Sequence, residues 1–180
     1  MQTRPLVVED LDSVIAILNG EIVGGVNVFR LVPLDAAAAA KWWHMHGSGR
    51  YQAIVAEAEF GDGEPGADQP ASRGIAGWAT FSPHSTYEGY DRTADLSVWV
   101  DQPYRGRGVG RMLVRSLLDS CPERNLRTVI SRIESTNSAS LRLHESFGFE
   151  RVGFLRDVGE KFGRSLSVVL MQYHVDAIAD

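Results

Sequence analysis

The sequence predicts an α/β fold: a single mixed β-sheet with helices on both faces. Three observations predict it. Segments that alternate apolar and polar residues recur along the chain, separated by segments whose apolar residues form a helical stripe. These patterns interleave through the middle of the chain, and two strand patterns follow one another near its end, as in a closing hairpin. The chain has 180 residues, 44% of them apolar, which suits one domain (1–180) with a substantial core, and neither a repeat nor an interior boundary interrupts it.

A short strand is predicted from Arg4 to Val7. A helix follows over 9–18, with apolar residues at 11, 14, 15 and 18 on one stripe. Val26 to Leu31 reads as extended chain or loop. Pro33 and Asp35 mark the start of a second helix, running through Ala36–Ala40, Trp42, Trp43 and Met45; the alanine run is a strong helix former. Gln52 to Glu59 alternates as a strand, and Ile75 to Phe81 is its hairpin partner. Between them, the polar, Gly/Pro-rich residues 60–73 are too long for a tight turn and read as a mobile surface loop. The remaining order is strand 94–101, helix 108–120, strand 127–133, helix 137–147, strand 149–156 and strand 165–173.

The most specific local signal is Arg105-Gly106-Arg107-Gly108-Val109-Gly110, between the strand pattern of Leu96–Val100 and the helical run Met112–Leu118. Glycine at every second position lets the backbone turn sharply and leaves amide N–H groups uncovered. Those amides open a helix, whose N-terminus carries unpaired donors and a partial positive charge, so phosphate oxygens are favoured there. The charge pattern agrees. The chain is acidic, with 18 Lys+Arg against 23 Asp+Glu, yet Gln102–Leu118 holds Arg105, Arg107, Arg111 and Arg115 and no acid. A local basic island on an acidic protein suits a small polyanion better than a nucleic acid, which needs a broad basic face. The other reading is a tight turn with solvated arginines.

Two familiar phosphate motifs are excluded. The last glycine of a dinucleotide fingerprint would fall at Arg111, and no Gly-Lys-Ser/Thr occurs. Arg105, Gly108 and Gly110 instead form Arg-x-x-Gly-x-Gly, which resembles the pyrophosphate-binding turn of the GNAT superfamily of N-acetyltransferases. A second segment, Asn137 through Ser140 to Gly148-Phe149, opens with a good N-cap and closes on a helix-ending glycine. It is similar to the GNAT helix that packs beside the cofactor. The resemblance implies a mostly antiparallel mixed sheet and a bound acetyl-coenzyme A. It implies contacts to that cofactor from Val98, Trp99, Val100, Arg105, Gly106, Arg107, Gly108, Val109, Gly110, Arg111, Asn137 and Ser140.

Within the superfamily the chain resembles the phosphinothricin acetyltransferases over nearly its whole length. The carriers are Asn27–Arg30, Arg50-Tyr51 with Val55-Ala56-Glu57, Tyr90–Asp95, Arg142–Glu145, and Leu155-Arg156 with Gly159–Arg164. This implies acetylation of the amino group of a small amino-acid-like amine such as phosphinothricin, methionine sulfone or methionine sulfoximine, by a homodimer. The chain departs from the family in having Asp95 for Glu, Ser165 for Trp and Ser167 for Asp. Its segment Ser82–Gly89 contains His84 but no Lys or Arg.

Amine acetylation requires loss of a proton from the ammonium, donors for the developing oxyanion, and a proton for the leaving thiolate. Asp95 is the candidate general base, acting directly or through water; the alternative is a strand-end carboxylate in a turn or ion pair. His144 is the candidate proton donor to the thiolate, and the alternative is a helical histidine bonded to a neighbour. A backbone N–H of Val98–Val100 is the oxyanion donor that the resemblance implies. Arg30 suits a substrate carboxylate, or a surface salt bridge; Trp78 and Tyr90 wall the acceptor pocket, or fill core.

Other classes fit less well. His44 and His46 lie two apart in Trp42-Trp43-His44-Met45-His46, do not share a helix face, and make a poor metal pair, so no metal is expected. Cys121 stands alone, consistent with a reducing cytoplasm. No apolar run reaches a membrane span and no signal sequence opens the chain. Two readings compete with the small-amine enzyme: an acetyltransferase of protein N-termini or lysines, and a non-catalytic acyl-CoA sensor.

Overall fold

A computed structural model describes residues 1–58 and 74–175. The loop expected over 60–73 lies outside the described residues. The chain runs β1 (Gln2–Pro5), α1 (Leu11–Gly24), α2 (Ala36–His46), β2 (Ile54–Glu57), β3 (Ile75–Pro83) and β4 (Thr93–Val100). It continues through α3 (Val109–Asp119), β5 (Thr128–Glu134), α4 (Ser138–Glu145), β6 (Glu150–Lys161) and β7 (Arg164–His174). The sheet order is β1-β2-β3-β4-β5-β7-β6. Every neighbouring pair is antiparallel except β4 and β5.

That parallel ladder is short. Thr93, Ala94 and Asp95 pair with Thr128, Val129 and Ile130, and the register then stops. Yet β4 continues to Val100 and β5 to Glu134, so the two strands part beyond Asp95. Two cores fill the two faces of the sheet, as the period-two alternation of strand side chains requires. Ile54, Ala56, Ala79, Phe81 and Leu96 point to the side covered by α3 and α4, with Leu113, Leu117 and Leu141. Val55, Ile75 and Trp78 point to the other side, with Val14, Leu18 and Ile22 of α1 and Trp42 and Trp43 of α2.

Several boundaries differ from expectation. The predicted strand at Arg4–Val7 sits at Gln2–Pro5, because Arg4 bonds Glu57 and Asp10 (2.8 and 2.6 Å) and the chain turns away after Pro5. Helix α1 runs on to Gly24, since Ile22 continues the stripe of Val14, Ile15 and Leu18. Strand β6 reaches Lys161 through an irregularity at Asp157, whose φ is 51°. A two-residue turn then closes the hairpin, with Phe162 and Gly163 both at positive φ (52° and 67°). Asn137 and Asp35 cap α4 and α2 by accepting the N–H groups of Ser140 and Ala38 (3.1 and 2.8 Å).

Gly77 lets β3 lie close under β4. A Cβ there would stand 2.6 Å from the carbonyl oxygen of Trp99, a backbone atom with no freedom to move aside. Gly77→Ala should therefore lower unfolding free energy by about 1–3 kcal/mol, the usual range for overpacking. Urea titration with wild type alongside measures this, and coincident midpoints would refute the close approach.

Candidate active site

The parting of β4 from β5 leaves backbone groups of β4 without a strand partner. The N–H of Asp101 bonds the carbonyl of Ala76 on β3 at 2.9 Å. By alternation Trp99 and Ser97 also face β3, and Val98 and Val100 turn their N–H and C=O towards the gap. Arg105 Nε donates to the Val100 carbonyl at 3.0 Å, as that orientation requires. The gap opens into a cleft of about 410 Å³ that takes in Val98–Val100, the glycine turn and the N-terminal part of α4.

The far end of the cleft is built by the turn. Gly106 and Gly108 have φ of 76° and 85°, which a side chain with a Cβ adopts only at a cost. Gly108 is the N-cap of α3, and the first helical bond runs from Met112 N–H to its carbonyl at 3.0 Å. The amides of Val109, Gly110 and Arg111 precede that bond, so they remain open at the positive end of the helix dipole. Every cofactor-site residue expected from the sequence lines this cleft except Arg107, whose guanidinium lies 5.9 Å from the Tyr104 ring centroid. Trp99 contributes to the lining while its backbone pairs with β3.

Residues absent from the sequence expectation complete the cleft. Arg105 donates to Glu21 (3.0 Å), Asn27 donates to Glu21 (2.7 Å), and Asn137 donates to Asn27 (2.9 Å). This chain of bonds links the glycine turn, the end of α1, the following loop and the cap of α4. A signal for Glu21 existed: it lies three residues after Leu18 on the buried stripe, beyond where the helix was expected to end.

Asp95 is the last residue of β4 paired with β5 and is not among the residues that line this cleft. Its Oδ1 is 2.8 Å from His84 Nδ1, and its Oδ2 is paired with Arg132 on β5. The ion pair is thus present, and His84 and Arg132 are partners that the sequence reading did not assign to the site. His84 rests against the Tyr90 ring, with centroids 5.4 Å apart.

His144 is 1% exposed. Its Nδ1 is 2.8 Å from the Ser140 carbonyl, which can only accept, so Nδ1 carries the proton and Nε2 a lone pair. Burial pushes the ring below the ordinary histidine range, against the Ser140 bond, and keeps it neutral. The resting ring thus accepts a proton at Nε2 before it can act as the donor expected from the sequence. Nε2 and the Ser131 hydroxyl are buried without partners among the described residues, and both residues line a cavity of about 70 Å³. That cavity shares Asn27, Val98, Trp99, Asn137 and Ser140 with the cleft.

The remaining candidates fall elsewhere. Trp78 is 2% exposed and packs in the core against Trp42 and Trp99. Tyr90 is half-exposed beside His84. Arg30 is exposed and donates its Nε to the Val32 carbonyl. His44 is exposed, and His46 is buried against Thr80 and the Tyr51 carbonyl. Burial pushes the Cys121 thiol up to about 12, which excludes it as a nucleophile. Ser165 and Ser167 both bond Asp157, at 2.8 and 3.0 Å, and so hold the irregularity in β6.

Comparison with known proteins places these features. A model of the acetyltransferase (GNAT) family matches residues 35–149. An L-methionine sulfoximine/L-methionine sulfone acetyltransferase of Pseudomonas aeruginosa is 30% identical over 94% of this chain and 91% of its own. The structure of a ribosomal-protein-alanine N-acetyltransferase from Brucella melitensis superposes with a TM-score of 0.86 at 30% identity, covering 97% of this chain and 99% of the other. A phosphinothricin acetyltransferase from Sinorhizobium meliloti, in complex with AcCoA, superposes with a TM-score of 0.83 at 26% identity, covering 96% and 87%.

The buried histidines fix a direction of pH dependence. Desolvation lowers both His46 and His144 below their unfolded value of about 6.5, so the folded state refuses protons that the unfolded chain accepts. Their contribution is whole above that value and shrinks as pH falls below it. Each should remove up to about 1.4 kcal/mol per pH unit there. Urea unfolding from pH 7 to 5 should show a shallower loss in His144→Gln than in wild type, and equal slopes would contradict the neutral buried ring.

Proposed function

The chain belongs to the acetyltransferase (GNAT) family, and we propose that it transfers the acetyl group of acetyl-CoA to the amino group of a small amino-acid-like amine. The observation that carries this reading is the cleft itself. It joins the open amides at the start of α3 to the unpaired backbone edge of β4, and so matches a ligand with a phosphate end and an amide-bearing arm. Gly106 and Gly108 keep that turn bare, and Arg105 and Arg111 add charge beside it. These groups would hold the pyrophosphate; Val98, Val100 and Asn137 would hold the pantetheine arm. When bound, acetyl-CoA supplies an acyl group already activated as a thioester.

The chain's own residues do the rest. Asp95, at the opposite end of the β4 edge from the glycine turn, anchors proton removal from the acceptor. The N–H groups of Val98 and Val100, free of a strand partner, are the donors for oxyanion charge. His144, with its bare Nε2, takes up a proton through the small cavity before it can return one to sulfur. Arg30 keeps its Nη atoms without partners among the described residues, as a clamp for a substrate carboxylate needs. The relatives named for methionine sulfoximine, methionine sulfone and phosphinothricin support a small acceptor. The Brucella protein supports the alternative, a protein N-terminus.

We also place the enzyme in the cytoplasm as a homodimer joined along β6. That strand ends the sheet and exposes Val152, Phe154, Leu155 and Val158, with Phe162 at its turn. Sedimentation at micromolar concentration should give a dimer that Phe154→Arg dissociates; a wild-type monomer would refute the assembly.

Release of free thiol from acetyl-CoA tests the activity, with methionine sulfone, methionine sulfoximine, phosphinothricin and an N-terminal alanine peptide as acceptors. Turnover is expected on an amino-acid analogue; turnover on the peptide alone would install the alternative. Gly108→Val should weaken acetyl-CoA binding by at least about tenfold, or 1.4 kcal/mol, because valine resists a φ of 85°. Unchanged affinity would remove the glycine turn from the site.

A further inference from the structure

Asp95 does not face the acceptor with a free carboxylate. One oxygen receives His84 Nδ1 at 2.8 Å and the other receives the Arg132 guanidinium. A carboxylate paired with a guanidinium is ionised and can only accept, so the His84 proton sits on Nδ1. The lone pair is then on Nε2, at the far edge of the ring, where no partner exists among the described residues. His84 leaves β3 just after Pro83, opposite the start of β4. The pair therefore stands where β4 and β5 part, and the His84 side chain is a quarter exposed.

We propose that His84 Nε2 is the atom that takes the proton from the acceptor ammonium, with Asp95 and Arg132 as positioning residues that fix its tautomer. The inference rests on the acetyltransferase reading and reassigns its base. It follows from charge and geometry: a histidine held through Nδ1 by a carboxylate presents the lone pair of Nε2 outward. The shorter Asp95 suits this arrangement, because the imidazole restores the reach that the missing methylene removes. The ionisable groups facing the ring are Asp95 on β4, with Arg132 on β5 behind it, and Tyr90 from the turn at 88–90.

The step balances. The ammonium gives one proton to Nε2, the neutral amine forms the N–C bond, and the C–S bond of the thioester breaks with its electron pair on sulfur. The second nitrogen proton passes to His144 Nε2 and from there to the thiolate, and His84 returns its own proton to solvent.

Steady-state thiol release across pH 5.5–9, together with ¹⁵N NMR of the imidazoles, tests this. Wild type should show the His84 Nδ1–H tautomer and an acid limb in kcat/KM from one group. His84→Gln should lose that limb and about 10²-fold or more in kcat, with acetyl-CoA affinity retained. Added imidazole should restore turnover to His84→Ala, which a purely structural role would not allow. Asp95→Asn should lose activity by shifting the proton to Nε2, visible in the same spectrum. An Nε2–H tautomer in wild type, or a His84→Gln enzyme with an unchanged pH profile and near-normal kcat, would overturn the proposal. If wild type turns over no amine, the acetyltransferase reading on which it rests fails instead, while the tautomer still reports on the pair itself.

Discussion

The separation of β4 from β5 is the constraint on which the rest of the molecule depends. A parallel pair that stopped nowhere would satisfy its own backbone and leave nothing for a ligand. Here only Thr93–Asp95 are paired, and the edge beyond them must find other partners. The Arg105 side chain meets part of that demand. An extended ligand with amides along its length meets it more completely. The glycine turn follows β4 after one short turn of helix, so the phosphate end and the arm of such a ligand would meet neighbouring stretches of one chain segment.

Around this gap the protein sets two imidazoles in contrasting surroundings. His144 is sealed among Phe149, Ser140 and the small cavity, with a backbone carbonyl on Nδ1. His84 lies at the rim with a carboxylate on Nδ1 and solvent access. Both arrangements direct a lone pair outward from Nε2. They differ in surroundings: His84 is partly open to solvent, whereas burial disfavours a protonated ring at His144.

Much of this was legible in the sequence, for identifiable reasons. The glycine turn was readable as backbone geometry, because Gly106 and Gly108 take the positive φ of a sharp turn into a helix and Gly110 leaves room for Leu143 of α4. The α4 cap was readable because Asn137 and Gly148 are strong local signals for the two ends of a short helix. What stayed hidden depends on tertiary distance. Arg132 reaches Asp95 only because β5 lies parallel to β4, and Glu21 reaches Arg105 across 84 positions of sequence. Trp78 and Trp99 look alike as strand aromatics, yet only one lines the cleft. The end of α1 was placed early because the stripe was followed only to Leu18, although Ile22 continues it.

The aromatic content of the two cores is uneven. All four tryptophans, Trp42, Trp43, Trp78 and Trp99, belong to the core beneath α1 and α2, and the core beneath α3 and α4 has none. Indole emission thus originates from one face of the sheet. Trp78 stands 5.2 Å from Trp42 and 6.3 Å from Trp99, close enough for excitation to migrate among them. Since Trp99 also borders the cleft, the protein carries an optical reporter of cleft occupancy that needs no label and is blind to the opposite half of the fold.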